Sequence, residues 1–313
     1  MTTVAQTTLK RDVEIAGTAL HSGKFVQLVL KPAPADHGIA FYRIDQSADH
    51  DLSEEVRVQA DFRLVHETML GTSLQNAHGV EVSTVEHLMA AFAGCGIDNA
   101  IVTVDGPELP ILDGSSEEFV RAIDCAGTKE LAADRRYIKI HEPIIVESDN
   151  KSIAIEPLDG FELEMFIDFE SAIVGRQHRE VELVNGTFRD EISNARTFGF
   201  RQDAEKLQSL GLAQGVSLDN TIVVDGDRIL NDGGLRYSDE FVRHKILDAI
   251  GDLYLAGAPI LGRVVGKRSG HSLNNDLVRA LFSAPDKWSY VTRSRSAEQH
   301  FHADSSEQEA AVA

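Results

Sequence analysis

The organisation of this chain is set by a segment with the pattern of a largely buried helix, residues 240–252, EFVRHKILDAIGD. A shorter segment, residues 83–92, STVEHLMAAF, also has an acidic residue and a histidine near the start of an apolar run, and it predicts a second helix of the same kind. His244 and Asp248 are four residues apart, so they lie on one helix face and can bind one cation together. The residue four after His87 is an alanine, which has no ligand atom. His87 is therefore predicted to be a third ligand, supplied by the other helix.

This set of residues favours a catalytic metal site over a structural one. Two imidazoles and one carboxylate leave a tetrahedral Zn²⁺ with a fourth position open for water. Glu86 directly precedes His87 and is a carboxylate that can take a proton from that water. The residues thus predict a hydrolase that holds zinc through His87, His244 and Asp248.

Other interpretations of the same residues remain open. His244 and Asp248 can be an ordinary hydrogen-bonded pair on a helix surface, because an isolated His-x-x-x-Asp spacing indicates a metal only weakly. Glu86 can be a helix-capping acid, with Ser83 or Thr84 as the N-cap. The metal is favoured because carboxylates on an apolar helix face are costly to bury unless they are paired or coordinated.

Further candidates lie near the loop KRSGHS, residues 267–272. His271 is predicted to be a protonated imidazole that stabilises developing charge or donates a proton to a leaving amine. Asp252 would orient this imidazole and keep it charged; the alternative is a solvated loop histidine. Lys245 and Arg268 are candidates to contact anionic groups of a substrate, or else are solvated charges.

Two other runs contain polar residues in predicted turns. Thr197, in the run RTFGF at residues 196–200, offers a hydroxyl that can donate to an oxyanion or merely cap a turn. The run PELPILDGSS, residues 107–116, is a proline-punctuated strand that leads into a turn and a helix cap, and by itself indicates structure only.

Composition restricts the class of protein. The chain has 313 residues, 42% of them hydrophobic and 26% charged, as in a globular protein of two domains. A net charge of −20 argues against nucleic acid as a partner, because phosphate backbones require a basic surface. Cys95 and Cys125 are too few for a disulfide framework, and Cys95 is predicted to be a packed thiol. No signal peptide and no integral membrane span are recognisable, so a cytoplasmic protein is expected. The sequence does not indicate an oligomeric state, and a monomer is the default expectation.

The two halves of the chain follow a similar plan. Residues 1–132 are expected to form a first α/β domain, and residues 133–292 a second one, with the boundary in the charged segment 128–136. Residues 198–230 have no counterpart in the first half and predict an insert, a short helix and a hairpin, that shapes access to the site. Residues 293–313 are predicted to be a disordered tail whose histidines have no catalytic role.

Several motifs occur together and in one order. They are GTALHSG at 17–23, VEHL at 85–88, PILDGS at 110–115, RTFGF at 196–200, HKILDAIGD at 244–252 and SGH at 269–271. This set resembles the UDP-3-O-acyl-N-acetylglucosamine deacetylases of Gram-negative bacteria over nearly the whole chain apart from the tail. The resemblance implies an α+β fold with two similar α/β sandwich domains. Each would be a mostly antiparallel sheet with two helices, and the helices would pack between the two sheets.

The resemblance also implies a reaction and a cofactor. One Zn²⁺ per chain would be held by His87, His244 and Asp248, although Fe²⁺ also fits a site of two histidines and one carboxylate. The N-acetyl group of UDP-3-O-(3-hydroxyacyl)-N-acetylglucosamine would be hydrolysed to the free amine and acetate, which is the committed step of lipid A biosynthesis.

Individual residues match positions that act in the family. Glu86 matches the general base, and His271 matches the residue that protonates the leaving amine or stabilises the oxyanion, with Asp252 as its partner. Thr197 matches an oxyanion donor. The remaining matches are substrate contacts, namely Lys245, Arg268 as a phosphate contact, and Phe198, after which comes the insert that matches an apolar passage for the acyl chain.

The departures from the family pattern are small. Gly71 stands where some members have a cysteine, and Arg268 stands where others have a lysine. Two other classes of protein remain. A zinc hydrolase for another acylated amine would not require a long acyl chain on its substrate. A non-catalytic protein with a structural zinc would have a closed fourth ligand.

Overall fold

The computed structural model describes residues 3–47, 51–184 and 186–295. The predicted tail from residue 296 onwards lies outside the described residues, whereas Ser294 forms an antiparallel bridge with Thr3. No helix in the described ranges is long and apolar enough to cross a membrane.

The first half of the chain builds a five-stranded sheet and a pair of helices. Its strands are β1 (Ala5–Leu9), β2 (Val13–Thr18), β3 (Phe25–Pro32), β4 (Ile39–Arg43), β5 (Arg57–Gln59), β6 (Val65–Glu67), β7 (Ser73–Gln75), β8 (Glu81–Val82), β9 (Ala100–Val104) and β10 (Thr128–Asp134), and its helices are α1 (Glu86–Gly94) and α2 (Glu117–Ala126). The sheet order is β2-β3-β9-β4-β5, antiparallel except where β4 runs parallel to β9. Strand β3 alternates exposed and buried residues, so one face of this sheet packs on the core.

The second half repeats this plan with a larger sheet. Its strands are β11 (Tyr137–Ile140), β12 (Ile144–Ser148), β13 (Lys151–Glu156), β14 (Phe161–Asp168), β15 (Arg176–Glu182), β16 (Phe198–Phe200), β17 (Ile222–Asp225), β18 (Arg228–Ile229), β19 (Ile260–Lys267) and β20 (Trp288–Val291), and its helices are α3 (Arg201–Ser209), α4 (Glu240–Tyr254) and α5 (His271–Ser283). Strand β19 pairs antiparallel with β13 and parallel with β14 and β11. The outer pairs β12–β13, β14–β15 and β11–β20 are antiparallel.

The helices of the two halves meet between the sheets. Helix α1 packs on α4, α2 contacts β2, α4 contacts β14 and β15, and α5 contacts β12 and β13. All residues of α4 are buried except Arg243 and Lys245. A helix that is buried almost all round lies inside a protein rather than on its surface. The predicted α+β fold, with mixed helices and mostly antiparallel sheets, is confirmed.

Helix α1 begins differently from the prediction. Its N-cap is Val85, and no side chain caps it. Thr84 has a φ of 57°, and its hydroxyl donates to Glu108 at 3.4 Å. An N-cap residue is usually extended so that its side chain reaches back to the helix, and a left-handed Thr84 points elsewhere. The prediction that Ser83 or Thr84 caps this helix is therefore wrong.

The charged segment between the halves is a strand. Residues 128–134 form β10, which pairs antiparallel with β1. None of its residues is buried, so the apolar alternation by which strands are recognised is missing. The division into domains near residue 132 stays a prediction. In the insert, the predicted helix is α3 and the predicted hairpin is β17–β18, with β16 parallel to β17.

Candidate metal centre and active site

The three predicted metal ligands come together in the buried contact between α1 and α4. His87, His244 and Asp248 each offer a ligand atom within 4.8 Å of the others. Nε2 of His244 lies 3.3 Å from Oδ1 of Asp248, and Nε2 of His87 lies 3.7 Å from the same oxygen. The surface interpretation of His244 and Asp248 is wrong, because each is only 2% exposed. Two imidazoles and a carboxylate at these separations can hold one metal ion.

The ring of His244 is oriented by a backbone carbonyl. Its Nδ1 lies 3.1 Å from the carbonyl oxygen of Ala195. A carbonyl only accepts hydrogen bonds, so Nδ1 carries the proton and the Nε2 lone pair faces Asp248. The Nδ1 of His87, by contrast, is buried and has no hydrogen-bond partner within the described ranges.

Burial and neighbouring charges leave the three side chains in the protonation states that metal binding requires. Burial, together with the nearby His244, lowers the pKa of His87 to about 3. Burial likewise lowers the pKa of His244. Burial alone would raise the pKa of Asp248, but His244 and Lys245 hold it well below its usual range. Neutral imidazoles and an ionised carboxylate are the forms that bind metals.

Glu86 lies beside the ligand set and is held at the start of the hairpin that the antiparallel strands β7 and β8 form before α1. Its Oε2 accepts a hydrogen bond from the backbone N–H of Thr72 at 2.9 Å. A Cβ atom at Gly71 would lie 2.8 Å from Oε1, so the backbone passes close to the carboxylate. Burial raises the pKa of Glu86 to about 7, with Asp252 and Asp248 contributing and His271 opposing. A carboxylate with a pKa near neutrality can both accept and return a proton.

His271 is the first residue of α5 and is paired with Asp252. Its Nδ1 lies 2.9 Å from Oδ2 of Asp252, and its Nε2 lies 3.9 Å from Oδ2 of Asp248. The side chain is only 12% exposed, so the solvated-loop interpretation is wrong. Burial alone would lower the pKa of His271, but Asp252 raises it to about 9. This imidazole is therefore protonated at neutral pH.

Asp252 is held by residues that the sequence analysis did not single out. Its Oδ1 accepts from Oγ1 of Thr72 at 2.5 Å, and its Oδ2 accepts from Nδ2 of Asn274 at 2.9 Å. Thr72 thus contacts both Glu86, through its backbone, and Asp252, through its hydroxyl. No sequence signal marks Thr72, because its role depends on how the residue before β7 lies against α1 and α4.

Lys245 and Phe198 adjoin the ligand set from the insert side. Nζ of Lys245 donates to Oδ2 of Asp248 at 2.8 Å and lies 5.9 Å from the centre of the Phe198 ring. Burial alone would lower the pKa of Lys245, but the Asp248 carboxylate raises it. The Phe198 ring is 6.3 Å from that of His244. Thr197 precedes Phe198, and its backbone N–H donates to the carbonyl of Gly114 at 2.7 Å.

Arg268 lies farther out and does not contact the ligand set. It shares a cleft of about 740 Å³ with Lys245 and His271. Its guanidinium pairs with Asp168, and its backbone N–H donates to Phe166 at 2.7 Å. The structure therefore groups the predicted site residues into a buried centre and a cleft whose wall carries Arg268.

Comparison with known proteins gives matches over most of the chain. A family model, LpxC, described as UDP-3-O-acyl N-acetylglycosamine deacetylase, matches residues 6–283. A UDP-3-O-acyl-N-acetylglucosamine deacetylase of Phenylobacterium zucineum is 48% identical over 283 residues, which cover 90% of this chain and 95% of the relative. Deacetylases with the same name from Shewanella violacea and Haemophilus influenzae are 46% and 47% identical over 291 residues, which cover 92% of this chain and 93% of each relative.

Proposed function

This chain belongs to the LpxC family of UDP-3-O-acyl N-acetylglycosamine deacetylases and is an amide hydrolase, and we propose that it removes the N-acetyl group of UDP-3-O-(3-hydroxyacyl)-N-acetylglucosamine in a zinc-dependent reaction. Water is consumed, the C–N bond of the amide breaks, and the free amine and acetate are the products. In this proposal the reaction is the committed step of lipid A biosynthesis.

One observation carries the proposal more than any other. The buried cluster of His87, His244 and Asp248 lies directly beside a carboxylate with a pKa near neutrality, Glu86, and a protonated imidazole, His271. A base and an acid on either side of a metal-ligand set are what hydrolysis of an amide requires. A structural zinc site would instead be closed by a fourth protein ligand, and no fourth cysteine, histidine or carboxylate joins the cluster within the described ranges.

The donor atoms suit zinc. Neutral histidine nitrogens and a carboxylate oxygen are common ligands of catalytic zinc, and the carbonyl of Ala195 leaves Nε2 of His244 free to bind. When bound by these residues, zinc would supply Lewis acidity to the amide carbonyl and lower the pKa of a water molecule towards neutrality. Fe²⁺ can also bind to two histidines and one carboxylate. Adding each metal separately to the metal-free protein distinguishes the two ions.

Glu86 is proposed to be the general base. Burial raises its pKa to about 7, so it can take a proton from water and later release it. The backbone N–H of Thr72 holds one carboxylate oxygen, Oε2, which leaves Oε1 to accept the proton.

His271 is proposed to stabilise the oxyanion that develops on the amide carbonyl and to protonate the leaving amine. The Asp252 carboxylate supports this role because it keeps the imidazole cationic, with a pKa of about 9. Nδ1 is engaged with Asp252, so Nε2 is the nitrogen that would face the substrate. Thr197 is proposed as a second donor to the oxyanion.

The surrounding residues are proposed to bind the two ends of the substrate. Lys245 and Arg268 carry positive charge on the walls of the cleft that also contains His271, and phosphate groups of a UDP-sugar would be attracted to them. Phe198 contacts the rings of Phe169 and Phe241 at the start of the insert. An apolar surface of this kind supports a passage for the acyl chain along the insert.

The direct test is acetate release from UDP-3-O-(3-hydroxyacyl)-N-acetylglucosamine by purified protein, before and after chelation, and after separate addition of zinc and Fe²⁺. We expect activity to vanish on chelation and to return with zinc. A substrate without the acyl chain provides the control for substrate class. Equal activity on both substrates would indicate a hydrolase for another acylated amine, and activity that survives complete removal of metal would contradict the mechanism.

A further inference from the structure

A buried ion pair beside the metal helix takes no part in the proposed chemistry. Glu240, the first residue of α4, is 0% exposed, and Arg196 is 8% exposed. Nε of Arg196 donates to Oε1 of Glu240 at 2.9 Å, and Nη2 donates to Oε2 at 3.2 Å. The carboxylate also accepts from the backbone N–H of Arg196 at 3.0 Å and of Arg236 at 2.6 Å. Glu240 is thus bound by four donors at the start of the helix that carries His244 and Asp248.

Stability alone does not explain why an ion pair is buried at this position. Removing two charges from water is costly, and a buried ion pair can often be replaced by apolar residues without loss of stability. Where a buried pair is useful, it specifies one arrangement among several, because any other arrangement leaves a charge without a partner.

The residues that flank Arg196 both belong to the proposed active site. The carbonyl of Ala195 accepts the proton of His244 Nδ1, and Thr197 is the proposed oxyanion donor. Glu240 lies four residues before His244, on the same face of α4. The ion pair and the Ala195–His244 hydrogen bond are therefore two successive links between the segment 195–197 and one face of the metal helix.

The stretch 193–197, which includes this segment, is bound to the first half of the chain. The N–H of Thr197 donates to the carbonyl of Gly114 at 2.7 Å, and the N–H of Ser116 donates to the carbonyl of Ser193 at 2.8 Å. The hydroxyl of Ser116 donates in turn to the carbonyl of His87 at 2.8 Å. A Cβ atom at Gly114 would lie 1.9 Å from the carbonyl oxygen of Asn220, so these two parts of the chain are in close contact.

These contacts connect both histidines to the stretch 193–197, which contains the segment 195–197. His87 is connected to it through Ser116, and His244 through Ala195. We propose that Arg196 and Glu240 are positioning residues for the metal centre: their ion pair fixes the segment 195–197 against α4, and thereby sets the ring orientation of His244. This inference rests on the proposed metal site, and neither residue needs to touch the substrate.

The test is the affinity for Zn²⁺ of the full chain, measured by competition with a chromophoric chelator. We expect Glu240→Gln to weaken zinc binding by about 10- to 100-fold, the range typical for partners of metal-bound histidines. Asp98→Asn is the matched control, because it breaks a comparably buried ion pair with Arg135 whose side chains are each 12% exposed. The control should change zinc affinity by less than about twofold, even if urea unfolding shows a similar decrease in the free energy of unfolding for both variants.

A second variant covers the case in which Glu240→Gln does not fold. The double variant Arg196→Met/Glu240→Leu removes both charges and avoids an unpaired buried ion. We expect it to fold, to bind zinc about 10-fold or more weakly, and to show an altered visible spectrum when loaded with Co²⁺. Wild-type affinity and spectrum in either Glu240 variant would overturn the inference.

The outcome is distinguishable from failure of the proposed function. Wild-type protein that binds zinc tightly but releases no acetate would contradict the proposed substrate and leave this comparison of affinities intact. Wild-type protein that binds no zinc would overturn both.

Discussion

The backbone carbonyl of Glu86 lies 2.0 Å from the position that a Cβ atom at Gly251 would take. Helices α1 and α4 therefore approach each other as closely as a glycine permits. On α1 the contact is one residue before His87, and on α4 it is three residues after Asp248. A larger residue at position 251 would separate the helices that supply the three metal ligands.

Gly251→Ala is expected to destabilise the protein. Alanine favours a helix over glycine by about 1 kcal/mol, so helix propensity alone predicts a gain. Crowding against the Glu86 carbonyl is expected to exceed this gain and to lower the free energy of unfolding by about 1–3 kcal/mol. Urea unfolding of the apoprotein measures the change. Gly233→Ala is the control, because nothing lies within 4 Å of its added Cβ. A stabilised Gly251→Ala protein would show that the helices are not in contact here.

Replacement of the ligands is expected to abolish metal binding without unfolding the chain. His244→Ala and Asp248→Asn should each weaken zinc binding by more than about 100-fold, since loss of a direct ligand costs more than loss of its hydrogen-bond partner. Metal content after dialysis and circular dichroism measure the two effects. His178→Ala is the control, as this histidine is half-exposed and bonds Glu164 on the surface. Full metal content in His244→Ala would exclude it as a ligand.

Glu86→Gln is expected to lower kcat and leave zinc bound. Glutamine keeps an oxygen that accepts the N–H of Thr72, so the hairpin contact survives. The amide cannot take a proton from water, and loss of a general base typically reduces kcat by about 10²- to 10⁴-fold. Metal content should equal that of the wild type. A loss of less than about threefold would assign the proton transfer to another group.

Asp252→Asn is expected to shift the alkaline limb of the pH–activity profile to lower pH. The carboxylate of Asp252 raises the pKa of His271 to about 9. The cationic imidazole is the active form, so activity falls as pH rises through this pKa. Without the negative charge the pKa falls, and the loss of activity should begin about 1–2 pH units lower. Asp105→Asn should leave the profile unchanged, because this carboxylate is exposed and accepts only the backbone N–H of Gln27, at 2.7 Å, among the described hydrogen bonds. An unaltered limb in Asp252→Asn would show that another group titrates there.

The two cysteines are expected to react at very different rates. Burial raises the pKa of the Cys95 thiol to about 12, with Arg189 opposing, so little thiolate forms at neutral pH. Cys125 is exposed. A chromogenic disulfide reagent should modify one thiol rapidly in the native protein and the second only in denaturant, and Cys125→Ser should remove the rapid phase. Two rapid phases would contradict the packing of Cys95.

Much of the fold was predictable from the sequence because the apolar periodicity is strong. The helix predicted at residues 240–252 is α4, and the helix and hairpin predicted in the insert are α3 and β17–β18. Apolar periodicity does not mark β10, β12 and β20, because each of these strands buries at most one residue. Strands of this kind are stabilised by pairing with neighbouring strands, and the residues of one segment do not show which strands will pair with it.

The residue types that can do the chemistry, and those among them that share a helix face, follow from the order of residues alone. The spacing of His244 and Asp248 on one helix is a local property, set by the 3.6-residue period. Contacts between groups from distant parts of the chain follow only from the folded arrangement. It brings His87 to within 3.7 Å of Asp248, joins Thr72 to Asp252 at 2.5 Å, and directs the carbonyl of Ala195 to His244. These contacts depend on how two helices and a hairpin pack, and packing is decided by the whole core rather than by neighbours in sequence.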